Sequence, residues 1–237
     1  MKFLVLIPAR NEALNLPKVI EELRRCRPEA DILVVDDAST DATRDILPGL
    51  GVYWLRLAQP LGIGGAMRAG LLYARILGHD LVIRLDGDGQ HRPDQMEGLL
   101  RPIREAGADA VQGSRYTGDV GYASQGVRRL GQRVLAFILS VGAGDRVTDP
   151  TSGFWAFGPR AVRILADHHP TGYPEPELRL FLRRNRLAVA EAPVQMRGRL
   201  AGRSSLTVPR AWLAGARVVL AMVVVPLRAA VEASARD

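Results

Sequence analysis

Two carboxylates stand two residues apart in Leu85-Asp86-Gly87-Asp88-Gly89-Gln90-His91, at the end of the apolar run Leu81-Val82-Ile83. In a strand, side chains i and i+2 point the same way, which leaves the two carboxyl groups about 6.6 Å apart along the backbone. At that spacing both can reach one divalent cation, directly or through water, and oxygen ligands favour Mg²⁺ or Mn²⁺ over zinc. The flanking glycines allow a sharp turn and a close approach of ligand to backbone. An isolated Asp-x-Asp also fits a polar loop after a strand, so neighbouring segments have to decide.

The run Ile32-Leu33-Val34-Val35 leads into Asp36-Asp37-Ala38-Ser39-Thr40-Asp41, and Phe3-Leu4-Val5-Leu6-Ile7 leads into Pro8-Ala9-Arg10-Asn11-Glu12. In an open parallel sheet, ligands bind just beyond the carboxyl ends of the strands. Three strands therefore deliver acids to one rim, with Asp41 also suited to capping a helix. The glycine run Gly62-Ile63-Gly64-Gly65 precedes a helical pattern from Ala66 to Leu77 and reads as a turn that could offer amides to a ligand. No Gly-Lys-Ser/Thr follows it, and Met67 occupies the third glycine position of a dinucleotide fingerprint, so neither of those motifs is present.

The positioning elements alternate. Strands are predicted at Phe3 to Ile7, Asp31 to Val35, Val52 to Leu57, Asp80 to Leu85 and Asp109 to Gln112. Asn15 is expected to cap a helix with Pro17 in its first turn and Val19, Ile20, Leu23 and Cys26 inward. A further helix is expected over Asp94 to Ala106, bent at Pro102. This is an α/β fold with a mainly parallel sheet flanked by helices. The second half predicts a helix with Val127, Leu130, Val134, Ile138 and Val141 on one stripe. Extended residues Phe154 to Phe157, a helix near Leu178 to Arg184 and a strand near Leu187 to Ala192 follow.

Seven segments, in order, resemble family 2 glycosyltransferases of the Rossmann-like GT-A fold, above all the dolichyl or polyprenyl phosphate sugar transferases. They are Ile7 to Glu12, Val35 to Asp41, Leu61 to Ala66, Asp86 to His91, Gly113-Ser114-Arg115-Tyr116, Asp149-Pro150-Thr151-Ser152-Gly153-Phe154 and Arg199 to Ser205. Pro60 stands where the family usually has Asn, while Gly87 and Arg10 replace the common alanine and tyrosine. The resemblance implies a metal held by Asp88 and Gln90, with Asp86 beside it or nearer the donor sugar. It implies that Pro8, Ala9, Glu12 and Asp37 hold base and ribose, Asp37 by accepting a nucleobase N–H, and that His91 is an outer or loop residue. Arg115, Arg199, Arg203 and Ser204 would lie near the donor diphosphate or acceptor phosphate, with a loop hinged at Gly202 closing over the donor.

The implied reaction is an inverting displacement at the anomeric carbon, in which Asp86, Asp88 and Arg203 would serve the departing diphosphate. A lipid phosphate acceptor is already ionised and needs no base. A hydroxyl acceptor needs a carboxylate, for which Asp149 is the first candidate and Glu177 the second. Asp149 equally suits fixing its loop, and Glu177 capping a helix. The donor is a UDP- or GDP-sugar and the acceptor a polyprenyl phosphate, with a sugar or small-molecule hydroxyl as the alternative. A sugar nucleotidyltransferase would need a glycine-rich basic loop where Pro8-Ala9-Arg10-Asn11-Glu12 stands, and the intact Asp86, Asp88 and Gln90 weigh against a non-catalytic adaptor.

Composition agrees. At 237 residues and 47% hydrophobic content, the chain can bury one large core. Residues 1–208 are expected to form the catalytic domain, with 1–115 as nucleotide and metal half and 116–208 as acceptor half. Residues 209–237 would be an amphipathic helix and tail. A single cysteine, Cys26, cannot form an internal disulfide. The net charge of +7 is carried almost wholly by arginines dispersed among apolar positions, which fits a bilayer surface better than nucleic acid. The first residues read as a strand rather than a secretory signal. The run Ala211 to Leu227, interrupted by Arg217, falls short of the ~20 apolar residues of a spanning helix. It suits a membrane surface or a small membrane protein partner. The expectation is a cytoplasmic enzyme, peripheral at the inner face of the membrane.

Overall fold

Every residue of the first strand, β1 (Phe3–Ala9), is buried, as a parallel strand covered on both faces requires. The computed structural model describes residues 3–117, 127–171 and 174–201. Arg203, Ser204, the Gly202 hinge and the whole of 209–237 lie outside the described residues.

After β1 come α1 (Leu16–Cys26), β2 (Asp31–Asp36), the short α2 (Thr43–Ile46), β3 (Tyr53–Arg56), α3 (Gly62–Ile76), β4 (Leu81–Arg84) and α4 (Met96–Ala106). The chain continues through β5 (Ala110–Ser114), α5 (Val127–Ala143), β6 (Trp155–Phe157), α6 (Pro159–His168), α7 (Pro174–Arg184) and β7 (Val189–Pro193). The sheet order is β3-β2-β1-β4-β6-β5-β7. All pairings are parallel except those of β6, which runs antiparallel between β4 and β5 with Trp155 opposite both Arg84 and Gln112. The loop entering β6, which carries Asp149, therefore arrives at the edge where β4 and β5 end.

Alternation sorts the core onto two faces. Phe3, Val5 and Ile7 pack with Val19, Leu23, Leu99 and Leu100 of α1 and α4. Leu4 and Leu6 pack with Met67 and Leu71 of α3 and with Val162 and Leu165 of α6. Each such side chain contributes about 1.5–3 kcal/mol by leaving water.

Four expectations need correction. Asn15 does not cap α1; its side-chain amide donates instead to the Glu12 carboxylate at 2.6 Å. Cys26 is half-buried rather than on the inner face. On α5 the buried residues among those with described side chains are Ala136, Leu139 and Ala143, while Val134 and Val141 are exposed, because Leu180 of α7 meets the helix on the other side; Val127 and Leu130 lie outside them. The glycine run is not a turn but the first turn of α3. A Cβ at Gly64 would lie 2.5 Å from the Pro170 oxygen, and one at Gly70 2.2 Å from Leu6. These glycines let the helix approach the backbone after α6 and the sheet.

Candidate active site

Strand β4 ends at Arg84, so Asp86 and Asp88 sit in the turn beyond it and not on one strand face. The turn is fixed locally: Asp88 Oδ1 accepts the Gln90 N–H at 3.0 Å, and Gly89 takes φ +76°. Residues after β7 run alongside it, with Arg197 N–H donating to Gln90 O and Leu200 N–H to Asp88 O, each at 3.1 Å. Arg197 Nε donates to Gly89 O at 2.6 Å while its guanidinium pairs with Glu22 of α1. Gln90 itself is exposed.

Asp86 is held from beneath. The buried Arg84 donates from Nε to Asp86 Oδ1 at 3.1 Å and from Nη2 to Glu175 Oε1 on α7 at 2.9 Å. Gly153 makes room for this pair, since a Cβ there would stand 2.5 Å from Arg84 Nη2 and 3.0 Å from Asp86 Oδ2. Burial works to raise the Asp86 pKa, but Arg84 and then His91 outweigh it and hold the carboxyl below the ordinary range. Asp88 goes the other way. Burial raises its pKa, the Gln90 N–H opposes, and the charge of Asp86 adds to the rise. Burial also lowers the His91 pKa against the pull of Asp86. His91 Nδ1 accepts the Asp86 N–H at 3.0 Å, so its proton sits on Nε2, 3.8 Å from Asp86 Oδ2, and the ring stacks on Phe154 at 4.7 Å.

Glu12 and Arg199, far apart in sequence, form an ion pair, and Arg199 Nη2 also lies 3.9 Å from Asp88 Oδ2. Pro8 and Ala9 are buried inside β1, where Ala9 O accepts the Asp37 N–H. The Asp37 carboxylate accepts the N–H groups of Leu61 and Gly62, at 2.6 and 3.0 Å, and so holds the start of α3. Asp41 accepts the Thr43 N–H at 2.9 Å in a capping contact ahead of α2. A Cβ at Gly87 would meet its neighbours at 3.5 Å, so alanine would fit there equally well.

Across the rim, Arg115 donates from Nε and Nη2 to the two oxygens of Asp149, each at 2.7 Å, and its backbone N–H adds a third bond at 3.1 Å. Asp149 is fully buried. Glu177 lies half-buried in the first turn of α7, where Glu175 and not Glu177 pairs with Arg84. Two adjoining cavities of ≈340 and ≈430 Å³ open beside this knot, sharing Tyr116, Arg146 and Thr148. The larger reaches Arg133 and Phe137 of α5, and Phe137 is exposed beside Val134 and Val141.

The structure thus brings Glu12, Asp86, Asp88, Gln90 and Arg199 together, with Arg115 and Asp149 as a separate pair on the same edge of the sheet. Sequence reasoning passed over Arg84, Glu175, Arg179 and Glu191. Arg84 stands between Ile83 and Leu85, and a charged residue inside an apolar strand must find a partner. That is the feature that could have drawn attention to it.

The two carboxylates offer hard oxygen donors, and Asp88 carries a negative charge that burial and Asp86 disfavour, so the donor set fits a divalent cation. Among the described residues no group of three His, Cys, Asp or Glu side chains is arranged to hold a metal ion.

Residues 4–165 match the sequence profile described as Glycosyl transferase family 2. The chain is 29% identical over 211 residues to a UDP-N-acetylglucosamine–dolichyl-phosphate N-acetylglucosaminyltransferase of Methanococcus voltae, a match covering 81% of this chain and 84% of that protein. It is 40% identical over 120 residues to an undecaprenyl-phosphate mannosyltransferase of Micrococcus luteus, covering 48% of this chain and 49% of that protein. A similar solved structure is glucosyl-3-phosphoglycerate synthase of Mycobacterium tuberculosis in complex with Mn²⁺, UDP and glucosyl-3-phosphoglycerate. Its TM-score is 0.69 at 20% identity, over 94% of this chain and 79% of that one. At that identity the likeness is one of fold.

Proposed function

Because this chain belongs to glycosyl transferase family 2, we propose that it moves a sugar from a UDP- or GDP-linked donor to a polyprenyl phosphate, with Mg²⁺ or Mn²⁺ held by Asp86, Asp88 and Gln90. The observation that carries this is the acidic turn beyond β4, in which Asp86 is anchored by Arg84 while Asp88 bears charge that its surroundings disfavour. Held there, such an ion would supply positive charge for a departing diphosphate. Arg199, placed between Glu12 and Asp88, adds a cation on the same side. Pro8, Ala9 and Asp37 act as wall and brace: they fix the β1 and β2 edges and the start of α3 that enclose the base and ribose.

Three observations support a lipid phosphate acceptor. Both relatives named above act on polyprenyl or dolichyl phosphates. The larger cavity pairs Arg133 and Arg146 with the exposed Phe137, a combination suited to a phosphate carrying an apolar tail. Both oxygens of Asp149 are engaged by Arg115, which fits an acceptor that needs no base. The site would then work at the bilayer surface; no helix among the described residues is long and apolar enough to cross a membrane.

The test is calorimetric titration with UDP and GDP, each with and without Mn²⁺, followed by transfer of labelled sugar to detergent-dispersed undecaprenyl phosphate. Metal-dependent binding of one nucleotide and labelled lipid, both lost in Asp88→Ala, are expected. Nucleotide binding with label appearing only on a hydroxyl acceptor would overturn the polyprenyl assignment. Nucleotide binding indifferent to Mn²⁺ and to Asp88 would overturn the metal assignment.

A further inference from the structure

Glu175 and Arg179 stand four residues apart on α7 and therefore on one face of the helix. Their partners lie on opposite sides of the site. Glu175 accepts from Arg84, whose other arm holds Asp86. Arg179 donates from Nη1 to Glu191 Oε1 at 3.0 Å and to Gln112 Oε1 at 3.2 Å, and from Nη2 to Asp145 Oδ2 and Arg146 O, both at 3.1 Å. Glu191 in turn accepts the Thr148 N–H at 3.0 Å and the Thr148 hydroxyl, one residue before Asp149. Gln112 adds a bond to Ser152 O at 3.0 Å. Arg179 and its partners thus pin the 145–152 segment at both ends.

Arg84 and Arg179 are almost wholly buried. Buried ion pairs seldom stabilise a fold beyond what apolar residues of the same volume would achieve. Two such pairs from adjacent turns of one helix, one aimed at each side of the rim, have a geometric consequence: the Asp86 carboxylate and the Asp149 loop are anchored to the same rigid element through separate side chains, so that loss of one anchor releases one side and leaves the other in place.

We propose that α7 is a strut that sets the spacing between the Asp86 carboxylate and the Thr148–Asp149 segment, with Glu175 and Arg179 as its two positioning residues. Glu175 governs the cation side and Arg179 the acceptor side. The acceptor half of the test rests on the polyprenyl phosphate reading; the cation half does not.

The experiment compares wild type with Glu175→Gln, Arg179→Met and Arg179→Lys, the last retaining the charge should the Met variant not fold. Mn²⁺ affinity is read from the free-ion paramagnetic resonance signal, KM for undecaprenyl phosphate from label transfer, and thermal midpoint in parallel. Glu175→Gln is expected to weaken Mn²⁺ binding at least threefold, because Arg84 loses a counter-charge and competes harder for Asp86, while acceptor KM stays within twofold. The Arg179 variants are expected to raise acceptor KM at least threefold with Mn²⁺ affinity within twofold. Any other pattern, such as both quantities unchanged or both moving together with the thermal midpoint, overturns the strut and leaves α7 a packing element. Should wild type bind Mn²⁺ yet transfer nothing to the lipid, the acceptor reading fails alone. The strut then stands or falls on whether Glu175→Gln, and not Arg179→Lys, weakens Mn²⁺ binding. A wild type that binds no Mn²⁺ overturns both.

Discussion

Replacing Asp149 by Asn separates two roles that its position at the rim would allow. The carboxylate is fully buried and takes two charge-assisted bonds of 2.7 Å from the Arg115 fork and a third from the Arg115 backbone. Asn keeps one acceptor oxygen but turns an NH₂ group toward an N–H donor, and it removes the Asp149 charge from the guanidinium. Breaking a buried pair in this way costs about 3–5 kcal/mol. In a chain of this size that amounts to a fall of roughly 6–20 °C in thermal midpoint. Because native domains are stable by about 5–15 kcal/mol, the variant should still fold at room temperature and be assayable.

The assay pairs thermal unfolding with the pH dependence of kcat/KM. If Asp149 only positions Arg115 and its loop, the variant is destabilised by this amount and turns over more slowly at every pH, with the profile unchanged in shape. If Asp149 instead takes a proton from an acceptor hydroxyl, the rate depends on its ionisation and the variant loses that part of the profile. A variant within about 0.5 kcal/mol of wild type in stability, with an altered pH profile, would refute the positioning role and revive a hydroxyl acceptor.

Two further outcomes follow from the packing. Gly64→Ala should destabilise by about 1–2 kcal/mol in urea unfolding, because its Cβ would stand 2.5 Å from Pro170 O and 2.6 Å from Thr171 Cα, both backbone atoms that cannot rotate away. Gly98→Ala on α4 meets nothing within 4 Å and should stabilise by up to about 1 kcal/mol, so equal effects at the two sites would contradict the close approach of α3. Burial lowers the His169 pKa from 6.5 to about 4, with its hydrogen bond to Pro170 opposing. Between those values the unfolded chain binds the proton and the folded chain does not, so stability should fall as pH drops from about 6.5 toward 4, by at most about 3 kcal/mol. His169→Gln should flatten that stretch of the stability curve, and a slope equal to wild type would show that other groups cause it.

The parts legible in the sequence were those that local pattern encodes. Continuous apolar runs marked β1, β2 and β4, and the acids that end them fell on one rim because parallel strands all end there. What stayed hidden depends on contacts between distant residues. Strand β6 has only three residues and enters the sheet antiparallel between two strands that sequence order would place side by side. The glycines of α3 looked like a turn because composition cannot tell a glycine needed for backbone freedom from one needed for lack of volume. Gly62, at φ +73° with nothing near it, is the first kind and Gly64 the second. The α5 stripe was misjudged because the partner that selects its buried face, Leu180, lies some forty residues on.

The side chains that hold the site were hidden for a related reason. Asp86, Asp88, Gln90 and Arg115 stand in motifs, whereas Arg84, Glu175, Arg179 and Glu191 act through pairs between elements. A carboxylate that is to meet a cation must be kept charged yet not neutralised by its own scaffold. The structure resolves this by division: Asp86 gives one oxygen to Arg84, whose charge is shared with Glu175, while among the described residues the cation paired with Asp88 is Arg199, 3.9 Å away and also paired with Glu12. Arg84 and Arg199 therefore each carry a second carboxylate that limits their pull on the first. The turn keeps its net negative character because Glu12 and Glu175, one on each flank, occupy the cations that would otherwise quench it.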